Sequence, residues 1–158
     1  MHFLSIFNVA LACAASAFAA TPAIISPADG TQIAPGAAFD FNYNSIADYG
    51  VSSYNYSVYL LTAPPTSFAP SATFAAGHYF GRFAEPNYPG NPNPSNTPPA
   101  QLVMPNFSIP PGGFGTGASA TNATFYLAVF EEYANGAGSI GNLISFTANK
   151  IVYNATTI

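Results

Sequence analysis

The sequence predicts an all-β chain, and three observations carry that expectation. Fifteen prolines and thirteen glycines punctuate the 158 residues and interrupt nearly every window long enough for a helix. The stretches between them are rich in Tyr, Phe, Val, Ile and Thr, which suit a pleated, half-buried surface. Several of these stretches alternate apolar and polar residues with a period of two, so that one face is apolar.

The elements follow in order. Ile24-Ile25 predicts a short first strand, and Ser26-Pro27-Ala28-Asp29-Gly30 a turn. Gln32-Ile33 continues extended, and Pro35-Gly36 turns again. Phe39, Phe41 and Tyr43 then alternate with Asp40, Asn42 and Asn44, the pattern of a half-buried strand. In "SSYNYSVYLL", residues 52–61, Tyr54, Tyr56, Val58 and Leu60 share one face, and Asn55 falls on the other, which makes the first face the core side. "TFAAGHYFGRF", 73–83, predicts another long strand in which Gly77 and Gly81 mark bulges or close backbone approach.

Residues 84–99, "AEPNYPGNPNPSNTPP", form a proline-rich loop too long to be mere connection, one that presents Tyr88. "AQLVM", 100–104, is a strand stopped by Pro105, and "IPPGGFGTGAS" is a second loop. "TNATFYLAVFEEY", 121–133, places Phe125, Leu127 and Val129 inward, with Asn122, Tyr126 and Phe130 opposite. "LISFTANKIVYN", 143–154, is the final strand. About seven strands with turns between them, in one domain, predict a single antiparallel β-sandwich of the immunoglobulin or fibronectin-III type. Phe41, Tyr56, Leu127 and Phe146 are expected in its core.

The leading residues 1–19 read as a secretory signal peptide. An apolar run from Phe3 to Ala15 ends in Ala17-Phe18-Ala19, and the run is shorter than the ~20 residues a spanning helix needs. The sandwich domain is then residues 20–158, without the only cysteine, Cys13, and with His78 as its only histidine. No second apolar run follows, so a soluble, extracellular protein without membrane insertion is expected. Asn55, Asn106, Asn122 and Asn154 each begin an Asn-x-Ser/Thr sequon and are the candidate glycosylation sites of a secreted glycoprotein.

Only 5% of residues are charged, with six acids against Arg82 and Lys150. Two cations cannot neutralise a nucleic-acid backbone, which excludes that partner class. A catalytic triad has one histidine to draw on and no G-x-S-x-G elbow. A glycosidase needs two carboxyls facing one cleft. Glu131 and Glu132 are adjacent on one strand and point to opposite faces. Any pair would therefore join one of them to Asp29, Asp40, Asp48 or Glu85 across loops, and strand-end acids are expected to be solvated. The residues suggest no metal site and no cofactor, and the run "GGFGTG", 112–117, lacks the lysine of a phosphate cradle.

Binding is what remains. Tyr49, Tyr79, Phe83, Tyr88 and Tyr133 lie in loops or on faces the alternation leaves open, and Tyr79, Phe83 and Tyr88 are the candidate ligand contacts. The same rings also suit a core, since a sandwich without disulfides needs aromatic bulk.

The opening "IISPADGTQIAPGAAFDFNY" carries Ile24, Pro27, Gly30, Ile33 and Gly36 in an I-x-x-P-x-x-G-x-x-I-x-x-G pattern. It resembles small secreted fungal Ig-like proteins, in particular the N-terminal Ig-like domain of Ser/Thr-rich cell-wall glycoproteins linked to β-1,6-glucan assembly. The resemblance implies a non-catalytic glycoprotein acting at the cell surface or wall, with a wall polysaccharide or surface protein as partner. Two other readings stay open: a small secreted effector or defence-related protein engaging a foreign partner, and a hydrolase with an unrecognised carboxylate pair.

Overall fold

The computed structural model describes residues 20–65, 77–86, 91–109, 119–136 and 141–155. Among them every regular element is a strand. These are β1 (Ala23–Ser26), β2 (Thr31–Ile33), β3 (Ala38–Asp40), β4 (Asn42–Asn44), β5 (Ser52–Leu61), β6 (Gly77–Ala84), β7 (Gln101–Val103), β8 (Asn122–Ala134) and β9 (Leu143–Asn154). Five of them form one sheet in the order β2-β9-β8-β5-β6, while β1 pairs with β4 and β3 with β7. The stretch 100–104 narrows to β7, and 73–76 lie outside the described residues.

The alternation of Phe39, Phe41 and Tyr43 is one continuous buried row, although the ladder breaks at Phe41. There the Phe41 amide still bonds on the β7 side, donating to the Ala100 carbonyl at 2.9 Å in register with Asp40 opposite Gln101. That break splits the run into β3, held by β7, and β4, held by β1. Hydrophobic residues from all three sheets meet in one cluster that includes Ile24, Phe39, Tyr56, Leu102, Leu127 and Ile151. Tyr56, Val58, Leu60, Leu127 and Val129 are essentially inaccessible, so over these residues the inward faces read from β5 and β8 are the core faces. At the start of β5 the register shifts between Ser53 and Asn55, so that Ser53 is buried and Tyr54, expected inward, is only half-buried.

Two further expectations need correction. The sheet is not purely antiparallel, because β2 runs parallel to β9, with Thr31 opposite Ile151 and Ile33 opposite Tyr153. The Asp29-Gly30 turn seats it: Asp29 Oδ1 accepts from the Lys150 amide at 2.6 Å, and the Gly30 amide donates to the Lys150 carbonyl at 2.8 Å. Gly30 has φ +79°, which a side chain would strain. The Asn149 amide group adds bonds to the Ile24 and Pro27 carbonyls at 3.0 and 2.9 Å. The second correction is Phe146, which is 40% exposed. Its cross-strand partner is Phe130, on the face of β8 opposite Leu127 and Val129. Register places it outside the core.

The glycine signal in β6 holds at Gly81. The β5–β6 register shifts between Val58 and Tyr59, opposite Gly81 and Tyr79, and a Cβ on Gly81 would lie 2.8 Å from the Phe83 ring.

Candidate functional site

Two places in the fold gather side chains with binding chemistry. The first is the outer face of the five-stranded sheet. Directly opposed residues share a face, so Ser57, Phe130 and Phe146 form one row across β5, β8 and β9, and Tyr79, Tyr59, Ala128 and Ala148 the adjacent row across β6 to β9. The rings touch in sequence: Tyr79 to Tyr59 at 5.0 Å between centroids, Tyr59 to Phe130 at 5.8 Å, and Phe130 to Phe146 at 5.0 Å. Ala128 faces outward yet has no exposed surface, because these large neighbours spread over it. Tyr79 at one end of the row is 51% exposed, and Ile144 extends the apolar surface beyond Phe146. Toward the Phe130 end Arg82 grips both carboxylate oxygens of Glu132, at 2.9 and 2.7 Å.

The second place lies at one end of the strands, where β4, the start of β5 and the segment after β6 converge. Its centre is Glu131, which has no exposed surface. The expectation of a solvated acid is corrected here: the side chain points inward and is held by donors from four residues. The Tyr43 hydroxyl donates to it at 2.6 Å and the Ser53 hydroxyl at 2.5 Å. The Ile46 amide lies at 3.1 and 3.2 Å from its two oxygens, and the Ser145 hydroxyl at 3.2 Å. A buried carboxylate is tolerable only with such a set of partners. Burial, then the hydrogen bond to Glu131 and its charge, push the Tyr43 phenol well above its usual range.

Beside this cluster is an open cleft of about 340 Å³. Phe41, Tyr43 and Tyr56 give it aromatic walls, Glu85 contributes a carboxyl, and Thr97 and Pro98 form part of its rim. Burial raises the Glu85 pKa, a hydrogen bond with Ser45 opposes that, and the negative charge of Glu131 raises it further. Tyr56 is raised too, first by burial and then by both carboxylates. The rim is pinned to the sheet: Asn91 Nδ2 donates to the Glu85 carbonyl at 2.9 Å, and the Ala84 amide donates to the Asn96 carbonyl at 2.6 Å. The proline-rich stretch therefore reaches the cleft through Thr97 and Pro98, while Tyr88 lies outside the described residues.

The other residues singled out from sequence are dispersed. Phe83 is a core ring, 6.1 Å from Tyr56 and edge-on to it. Tyr49 is exposed in the turn closed by the Asp48–Val51 bridge, and Tyr133 is half-buried near the end of β8. His78 packs edge-on against Phe80 on β6, and burial lowers its pKa. Of the sequons, Asn122 and Asn154 oppose each other at one end of β8 and β9, and Asn55 opposes Glu132 toward the other. Asn106 is exposed and accepts from the Ser108 amide at 3.0 Å. Among the described residues no group of three or more His, Cys, Asp or Glu side chains could hold a metal ion, and no helix is long and apolar enough to cross a membrane.

No protein-family model matches the chain, and no curated protein matches it.

Proposed function

We propose that residues 20–158 form an immunoglobulin-like β-sandwich that is secreted, carries N-glycans and acts at the cell surface or wall as a non-catalytic carbohydrate-binding protein. The observation that carries this reading is the Tyr79–Tyr59–Phe130–Phe146 row on the outer sheet face. Rings on a rigid sheet bind sugar rings through apolar contact with little entropy to lose, and the Tyr hydroxyls and Ser57 supply hydrogen bonds. One cluster between the five-stranded sheet and the two short pairs supports the sandwich. The leader-like residues 1–19, the sequons and the resemblance of the opening motif support the address and the fungal wall setting.

The hydrolase reading draws no support from Glu131. Its oxygens are already occupied by four protein groups, and it has no surface with which to meet a substrate.

The test is co-sedimentation of the protein with insoluble β-glucan and chitin. We expect retention on at least one, and at least tenfold weaker retention for the Tyr79→Ala/Phe146→Ala double variant with an unchanged far-UV spectrum. Retention of the double variant at wild-type strength would remove the outer face from the reading. Absence of retention on either polysaccharide would sink the carbohydrate class and favour a protein partner. Release of soluble sugar would overturn the non-catalytic assignment.

A further inference from the structure

The Tyr79–Tyr59–Phe130–Phe146 row turns as it crosses the sheet. Its rings come from β6, β5, β8 and β9, which are neighbours in that order. Neighbouring strands lie about 4.8 Å apart, so the row covers about 14 Å across the strands. Each strand is rotated roughly 20–25° from the next, which gives roughly 60–75° over the row. The ring planes add tilts of their own: 41° between Tyr79 and Tyr59, 89° between Tyr59 and Phe130, and 48° between Phe130 and Phe146.

Accessible surface is greatest at the two ends. Tyr79 is 51% exposed and Phe146 40%, while Tyr59 and Phe130, set edge to face, are half-buried. Ser57 sits between Phe130 and Arg82 in its row, and the Arg82 charge is matched by Glu132. The chain carries a net charge of −4, which disfavours an acidic polymer. A crystalline polysaccharide presents its sugar rings in one flat plane. Laid face-on to any ring of the row, that plane meets the next ring at 41° or more, so contacts cannot accumulate along the row. A single hydrated chain escapes that limit, because rotation at each glycosidic bond lets successive sugars follow the turn.

We propose, on the carbohydrate-binding reading of this face, that it takes a single neutral polysaccharide chain laid across β6, β5, β8 and β9 and discriminates against the flat faces of crystalline polymer. Tyr79 and Phe146 hold the chain at its two ends, and the edge-to-face pair Tyr59 and Phe130 lines the turn between them. Ser57 and the Arg82–Glu132 pair meet sugar hydroxyls along one side. A monosaccharide reaches one end ring alone, so binding grows with chain length until the row is filled.

The experiment compares one polymer in two states: acid-swollen against crystalline cellulose, and swollen against crystalline chitin, by depletion at equal accessible surface. In parallel, soluble β-1,3-glucan oligosaccharides from glucose to the hexasaccharide are titrated while backbone amides are followed by NMR. We expect binding to at least one swollen or soluble form, and at least tenfold weaker retention on both crystalline forms. The hexasaccharide, where it binds, should bind at least tenfold more tightly than glucose, with shifts centred on residues 57, 59, 79, 130 and 146. Tyr79→Ala and Phe146→Ala, at opposite ends, should each weaken binding to the form the protein prefers. Loss from only one of them would confine the ligand to one end and overturn the crossing. Equal or stronger retention on a crystalline form, or glucose binding as tightly as the hexasaccharide, would overturn the single-chain proposal and leave the carbohydrate reading standing. No binding to any form would overturn both. The comparison of polymer states uses the unaltered protein, so it stands even where a variant folds poorly.

Discussion

Replacing Glu131 by Ala tests whether one buried carboxylate ties together the end of the fold. The substitution deprives the Tyr43 and Ser53 hydroxyls, both in buried hydrogen bonds, of this acceptor. It also removes the acceptor from the Ile46 amide and the Ser145 hydroxyl, which are partly buried. A buried donor deprived of its acceptor costs about 1–3 kcal/mol. Two full penalties give roughly 2–6 kcal/mol. The partly buried pair adds to that, while rotation of the hydroxyls toward new acceptors reduces it. We expect a loss of about 3–5 kcal/mol, a large part of the roughly 5–15 kcal/mol available to a domain. The assay is urea unfolding followed by tyrosine emission, which is usable because the chain has ten tyrosines and no tryptophan. Tyr43→Phe alone should cost about 1.5–3 kcal/mol, as expected for a bond to a charged group. In the Glu131→Ala background it should cost much less, and that non-additivity is the signature of a direct partnership. A Glu131→Ala loss below about 1 kcal/mol, or additive single losses, would refute the reasoning.

Further outcomes follow from burial and charge. Leu127→Ala should cost ~2–5 kcal/mol, whereas Phe146→Ala should cost under about 1 kcal/mol; reversal of that order in urea midpoints would show that the faces of β8 and β9 are misassigned. Gly81→Ala should destabilise by about 1–3 kcal/mol, because the residue has φ +154° and its new Cβ would meet the Phe83 ring; an unchanged melting temperature would contradict the bulge. The folded state raises the Glu85 pKa from the ordinary 4.5, so between that pH and the raised value the folded chain holds a proton that the unfolded chain has released. Its contribution to stability is therefore complete below pH 4.5 and is lost as pH rises through the folded value. Glu85→Gln should flatten that slope and raise the urea midpoint at pH 7, and a slope that persists in the variant would assign it to another group.

The core faces of β5 and β8 were legible from alternation alone, because each is long enough for Tyr56, Val58 and Leu60, or Phe125, Leu127 and Val129, to repeat a period of two. β9 was legible as a strand but not in its facing. Ile144, Phe146, Ala148, Lys150 and Val152 share one side, and the apolar members gave no sign that this side was outward. Pairing to Phe130 decides the matter, and pairing joins residues distant in sequence. The same limit hid Glu131. Its neighbour Glu132 has the same chemistry, but only the inward position meets Tyr43, Ser53 and Ser145, and no local pattern brings those residues together. Loop anchoring was half visible. The prolines of 84–99 signalled a chain that cannot pair, while the docking of Asn91 and Asn96 onto the β5–β6 end depends on tertiary placement.

The parallel pairing of β2 with β9 has a consequence for the order in which the chain can be finished. Residues 31–33 leave the ribosome well before their partners at 151–153. The carbonyls of Ile24 and Pro27 likewise wait for Asn149. Vectorial synthesis therefore leaves residues 31–33 without their neighbour until residues 151–153 have been made, and such distant contacts form slowly. Until then the growing chain exposes unpaired strand edges, the surfaces by which nascent β-proteins associate with one another. A nascent chain that stopped before residue 149 would lack both the strand that receives β2 and the side chain that holds β1. Quality control would meet it as an unfinished sheet, whatever the state of the strands already made.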